Sequence, residues 1–178
     1  ILSKYGLNQH MEFGFTGMVL DGIELLLPEA GPELKPRPEV WGGQLFALLG
    51  AGLALLATVV QFVRAETSAE VFGVAQFFLF TFTYLFAATC LWLNLDMRAF
   101  GWFCFFVAVT TVPCALVTFM AGDVRFGSFW LIWGVLWFMS YLANAHGTNF
   151  GRALPFTTIG VGVLTCWIPG LLILTDRW

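Results

Sequence analysis

The sequence predicts an all-α integral membrane protein, a bundle of six transmembrane helices, and three observations lead there. Its 178 residues are 59% hydrophobic and only 11% charged, with a mean hydropathy of +0.83, whereas an ordinary soluble domain is roughly 25% charged. Five windows, 41–63, 71–95, 99–121, 126–145 and 153–175, contain no Asp, Glu, Lys or Arg, and each reaches the ~20 residues that a bilayer core demands. A sixth window, about 6–27, is apolar at helical spacing through EFGFTGMVLDGIELLL but includes Glu12, Asp21 and Glu24. Six spans would return both termini to the same side.

Taken in order, the first span is preceded by no basic region and small-residue cleavage site, so it is expected to act as its own insertion signal. PEAGPELKPRPEV at 28–40 carries four prolines and reads as an extended, partly rigid loop. The second span places Gly43, Ala47 and Ala51, and also Gly50 and Ala54, at four-residue spacing, which allows close helix contact. In the third, QFFLFTFTYLFAA puts Phe77, Phe80, Thr81 and Tyr84 on one aromatic face with hydroxyls in it. Pro113 in the fourth span and Pro169 in the sixth are expected to kink them. The remaining connections, such as VRAETSAE and GDVRFG, are brief and leave no room for a soluble catalytic or nucleotide-binding module.

The fifth span, FGSFWLIWGVLWFMSY, raises the functional question. At about 100° per residue, Phe126, Trp130, Trp133, Trp137 and Tyr141 fall within an arc of about 80° that runs roughly 22 Å along the axis. Membrane tryptophans ordinarily cluster at the two headgroup levels. A stripe across the whole bilayer is either helix packing and lipid contact or one wall of a slot facing the Phe77–Tyr84 face. Such a slot would pass small planar polar molecules between flat rings while giving a hydrated ion nothing to replace its water. Indole N–H groups and the tyrosine hydroxyl would supply a few hydrogen bonds.

Other chemistries find little support. The two lysines, Lys4 and Lys35, lie outside the spans, which excludes a retinal Schiff base. Two histidines, His10 and His146, stand near segment ends, where polar residues are ordinary and a haem or metal pair would be unusual. The cysteines Cys90, Cys104, Cys114 and Cys166 sit in apolar segments without CxxC spacing and read as small buried hydrophobes. No metalloprotease, nucleophile-elbow, P-loop or dinucleotide pattern is present, so neither a cofactor nor an enzyme is expected. A net charge of −3 without a basic patch argues against nucleic acid. Lysines and arginines divide equally between the two sides, so the positive-inside rule is silent on orientation.

Inside the spans, Thr81, Thr83, Thr110, Thr111, Thr157, Thr158 and Thr165 can hydrogen-bond their own helices, and Gln44 and Gln76 lie near span ends. Asp21 and Glu24 share a face of the first span. They are either functional intramembrane carboxylates or groups at the headgroup level or in a wet vestibule.

The run FTYLFAATCLWLNLDMRAFGWFCFFVAVTTVPCAL, then WLIWGVLWFMSYLAN, then GVLTCWIPGLLIL, resembles the AmiS/UreI family of amide and urea channels over roughly residues 77 to 178. The resemblance implies a six-helix protomer with its own pore, six protomers in a ring, and passive conduction of urea or short-chain aliphatic amides. It also implies a bacterial inner membrane and a metabolic link to a cytoplasmic urease or amidase. Carried over by position, the family's aromatic slot falls on Phe80, Tyr84, Trp130, Trp133 and Trp137, with Leu136 beside them. Phe126 stands where the proton-gated branch has a tryptophan, and Val161 where it has a glutamate. Phe77, Thr81, Asp21 and Glu24 are further candidates for the pore or its vestibules. Acid-gated members carry histidine- and acid-rich loops, which VRAETSAE and GDVRFG do not match, so no proton gate is expected. The alternative is an ion-coupled secondary transporter of small amides built on Asp21 and Glu24.

Overall fold

The computed structural model describes residues 38–178. The weaker span at 6–27, with Asp21 and Glu24, therefore lies outside the described residues. Helix α1 (Pro38–Arg64) is followed by α2 (Ser68–Trp92), α3 (Arg98–Met120), α4 (Val124–His146) and α5 (Ala153–Gly162). The last of these continues through a five-residue π turn (Val163–Trp167) into α6 (Ile168–Leu174). Four segments, Ser68–Trp92, Arg98–Met120, Val124–His146 and Ala153–Ile173, are long and apolar enough to cross a membrane, and α1 adds the apolar stretch Leu48–Arg64.

Local chemistry sets the helix ends. Thr67 begins α2 with a reciprocal cap: its hydroxyl accepts from the Glu70 N–H at 3.2 Å, and the Glu70 carboxylate accepts from the Thr67 N–H at 3.1 Å. The VRAETSAE connection thus belongs partly to the helix, which starts three residues before the charge-free window. Asp123 caps α4 by accepting from the Phe126 N–H at 2.9 Å, and Gly147 ends it in the left-handed conformation at φ 68°. Between α2 and α3, Asp96 accepts from the Arg98 backbone N–H at 2.9 Å and from its guanidinium Nε at 2.7 Å. These bonds hold the Asp96 carboxyl below the usual carboxylate range.

Packing follows small residues. The most extensive helix pair is α3 with α4. A side chain on Gly101 would meet the Ala145 backbone nitrogen at 2.6 Å, and one on Gly134 would run into the Thr111 side chain, so both glycines are needed for this approach. Helices α1 and α2 are joined by Thr58 and Thr81, whose hydroxyls lie 3.2 Å apart while Thr58 also donates to the Ala54 carbonyl. Helix α3 continues as one helix through Pro113. At Pro169 the backbone answers differently. Proline has no N–H for the Thr165 carbonyl, and the wide turn lies immediately before it, with the Ile168 N–H reaching back five residues to the Val163 carbonyl. All four cysteines are free and buried.

The ends of α4 carry aromatic clusters. At one end Tyr141 packs on Trp102 at 5.1 Å and Phe105 at 4.8 Å, and its hydroxyl lies 2.7 Å from His146 Nε2. At the other, Phe126 and Phe129 meet Trp178, over whose ring Arg125 sits at 4.8 Å. Tyr and Trp at the two ends of a membrane-crossing helix are the residue types that favour the membrane–water levels.

Candidate functional site

The aromatic stripe resolves into parts. Its central three rings, Trp130, Trp133 and Trp137, are each no more than 6% exposed and converge on one ring from α2. Phe80 lies 5.7 Å from Trp130, 4.8 Å from Trp133 and 4.7 Å from Trp137, edge-on to Trp133 at 88°. Trp130 and Trp133 meet each other at 5.1 Å, also nearly perpendicular. The spacing is responsible: positions i, i+3 and i+7 of one helix present three rings in a column, and a phenylalanine from its neighbour fits among them. Two stripes read separately in the sequence thus form one cluster.

A cavity of about 250 Å³ opens on one side of it. Tyr84 and Ala87 from α2, Phe100 and Cys104 from α3, Trp133, Leu136 and Trp137 from α4, and Leu154 and Thr158 from α5 contribute to its wall. The volume lies just under the lower end of the range for drug-sized ligand pockets, about 300 Å³.

Of the residues singled out in the sequence, Tyr84, Trp133, Leu136 and Trp137 line this cavity, and Phe80 and Trp130 close the cluster beside it. Phe126 lies apart, against Phe129 at 5.7 Å and Trp178 at 6.1 Å. Thr81 is turned to Thr58 of α1, and Phe77 is half-buried outside the cavity wall. Tyr141 turns out to Trp102. The column is continued instead by Ser140 and Asn144, which line the cavity and fall within about 40° of the mean Trp133–Trp137 direction. That pair was missed in the sequence, although the spacing 133, 137, 140, 144 contains it.

The polar groups differ from the sequence expectation at one point. The indole N–H of Trp133 donates to Thr165 Oγ1 at 2.8 Å, and that hydroxyl donates in turn to the Val161 carbonyl at 2.6 Å. Trp133 therefore presents ring surface and not a hydrogen bond to anything in the cavity. The hydroxyls of Thr83 and Thr158 likewise bond their own helices, to Leu79 at 2.6 Å and Leu154 at 2.9 Å. Asn144 donates to the Ser140 carbonyl at 2.8 Å. Among the described residues no group of His, Cys, Asp and Glu is arranged to hold a metal ion.

Comparison with known proteins gives the site its context. The family model for AmiS/UreI family transporters matches residues 41–177. A protein of Mycolicibacterium smegmatis named as an amidate substrates transporter is 32% identical over 164 residues, 90% of this chain and 73% of that one. The acid-activated urea channel of Helicobacter pylori (strain J99) is 35% identical over 119 residues, and the aligned part spans 61% of that relative's length. Two solved structures of the Helicobacter pylori urea channel share the fold. The closed-state cryo-electron microscopy structure superposes with a TM-score of 0.81 at 26% identity, covering 97% of this chain and 99% of that one. The crystal structure gives 0.80 at 28% identity with the same coverage.

Proposed function

The chain belongs to the AmiS/UreI family of membrane transporters, and from that premise we propose that it is a passive channel for urea or short-chain aliphatic amides, permeable without a proton gate. The family is one of channels and transporters rather than enzymes, and the protein is a multi-pass membrane protein. The observation that carries the reading is the Phe80 ring among three tryptophans with a cavity of about 250 Å³ beside it. The rings are in contact, tilted or edge-on at 4.7–5.7 Å, so in this reading they form a closed constriction that swivels apart to pass a thin planar solute and offers a hydrated ion no oxygen ligands.

In this reading Phe80, Tyr84, Trp130, Trp133, Leu136 and Trp137 form the slot, and Phe126 lies toward one mouth with Phe77 and Thr81 behind the wall. The span at 6–27 completes a six-helix protomer, six protomers form a ring in a bacterial inner membrane, and the permeant feeds a cytoplasmic amidase or urease. The absence of a gate rests on the short connections: GDVRFG and VRAETSAE contain no histidine.

The test is stopped-flow light scattering on proteoliposomes at pH 5 and pH 7.5, comparing urea, acetamide and glycerol for the native chain and Trp133→Ala. Fast, non-saturating urea or acetamide flux at both pH values, altered in the variant, supports the channel. Flux equal to that of empty liposomes at both would overturn it and turn attention to Asp21 and Glu24 as a coupled-transport site.

A further inference from the structure

Helix α2 carries one polar group that the slot does not account for. Gln76 lies within the membrane-crossing part of α2, and its Nε2 is shielded from solvent with no hydrogen-bond partner. It is the one such side-chain atom among the described residues. Folded proteins keep few buried amide donors unpaired, because in a low-dielectric interior an unpaired donor keeps its full desolvation cost. Cys114 on α3 stands close enough to interact with the Gln76 amide, but a thiol is a weak acceptor and does not make a full hydrogen bond to Nε2. The Thr58 and Thr81 hydroxyls are already bonded to each other.

The position of Gln76 says what it could meet. At about 100° per residue, positions 76, 80, 83, 84 and 87 share an arc of about 100° on α2. Thr83, Tyr84 and Ala87 line the cavity, and Phe80 closes the aromatic cluster. Gln76 stands one turn further on, roughly 6 Å along the axis from Phe80. The order along this face is cavity, aromatic constriction, carboxamide.

We propose that the Gln76 carboxamide is a binding group for the permeant, placed across the Phe80–tryptophan constriction from the cavity. It rests on the channel reading above. A primary carboxamide is complementary to urea or a simple amide at two points in one plane: its N–H meets the solute carbonyl and its carbonyl meets a solute N–H. A solute leaving the rings, where it has few polar partners, regains hydrogen bonds here. Glycerol, flexible and without a planar amide, cannot make the paired contact. Gln76 thus adds chemical discrimination to the selection by shape that the rings provide.

The experiment replaces Gln76 by Met, which keeps length and removes both hydrogen-bonding ends, and by Leu as a second variant should Gln76→Met fail to fold. Permeabilities to urea, acetamide and glycerol are read on proteoliposomes at matched protein content, with folding followed by gel filtration and circular dichroism. The expected result is a fall in urea and acetamide permeability of about two- to tenfold, the equivalent of one hydrogen bond, with glycerol unchanged. A conducting native chain whose folded variant keeps the same amide-to-glycerol ratio would overturn the assignment of Gln76 and leave the channel reading standing. A native chain no more permeable than empty liposomes would overturn both.

Discussion

Trp133 of α4 is bonded to Thr165 in the one stretch of π turn among the described residues, indole N–H to hydroxyl at 2.8 Å. The hydroxyl can accept because its own proton goes to the Val161 carbonyl. The Trp133 ring is therefore oriented by a neighbouring helix, at the wide turn that precedes Pro169. Thr165→Val keeps the shape and leaves the indole N–H buried without an acceptor. We expect a loss of about 1–3 kcal/mol of stability and a change in the urea-to-acetamide ratio, with both restored in Thr165→Ser. Thermal unfolding in detergent together with liposome flux checks this; a Val variant equal to the native chain in both would remove the tether from the account.

Phe80 touches all three tryptophans, so its size sets the free space between them. Phe80→Leu should admit bulkier solutes, raising glycerol and propionamide flux relative to urea. Its cost should stay below the ~3–5 kcal/mol of a phenylalanine-to-alanine change. Solute-series permeabilities give the answer, and an unchanged size cut-off would place the limiting aperture elsewhere.

Gly134 backs the stripe against Thr111, whose hydroxyl is held by the Ala108 carbonyl at 2.7 Å. Gly134→Ala should destabilise by about 1–3 kcal/mol through overpacking. Adding Thr111→Gly, which removes the obstructing atoms, should recover part of that. The double-mutant cycle is decisive, since additive losses would mean that the two positions do not share the contact.

The Asp96 carboxyl is lowered by its hydrogen bonds to Arg98. A depressed acid contributes stability above its unfolded pKa and loses it as pH falls through the folded value. The contribution is therefore constant from pH 5 to pH 7.5 and fades only in stronger acid. The pair is exposed, at 73% and 58% for the two side chains, so its worth is small. Asp96→Asn should alter Tm slightly and equally at pH 5 and pH 7.5, and leave urea flux untouched; a flux difference that grows at pH 5 would contradict this.

How much of this was legible in the chain differs from residue to residue. The run from Trp130 to Trp137 declares a face because helical spacing is geometry alone. What that face meets is not local: the Phe77–Tyr84 face offered itself as its partner by spacing alone, and the resemblance pointed to Phe80 and Tyr84 within it. Tyr141 illustrates the limit: it lies 80° round from Trp133, and at that angle the neighbouring α3, with Trp102 and Phe105, decides where a ring goes. The start of α2 was obscured because Glu66 and Glu70 look like loop charges, although Thr67 and Glu70 stand at capping-box spacing. The indole bond to Thr165 had no sequence signal beyond the threonine in LTCWIP, since membrane threonines usually bond their own helix and only the remaining lone pair is free to accept. Gln76 read as a span-end residue, and its isolation emerges only when neighbours are present.

The close seam between α3 and α4, with Gly101 on Ala145 and Gly134 on Thr111, bears on how the proposed channel would behave with time and temperature. Two helices already in backbone contact have no slack to exchange for a wider opening. The rings in front of them can swivel, but the wall on which they are mounted cannot retreat. In the proposed channel the tryptophan side of the aperture is then set when the chain folds and not by the solute that arrives, so warming should speed passage without broadening the range of molecules that pass.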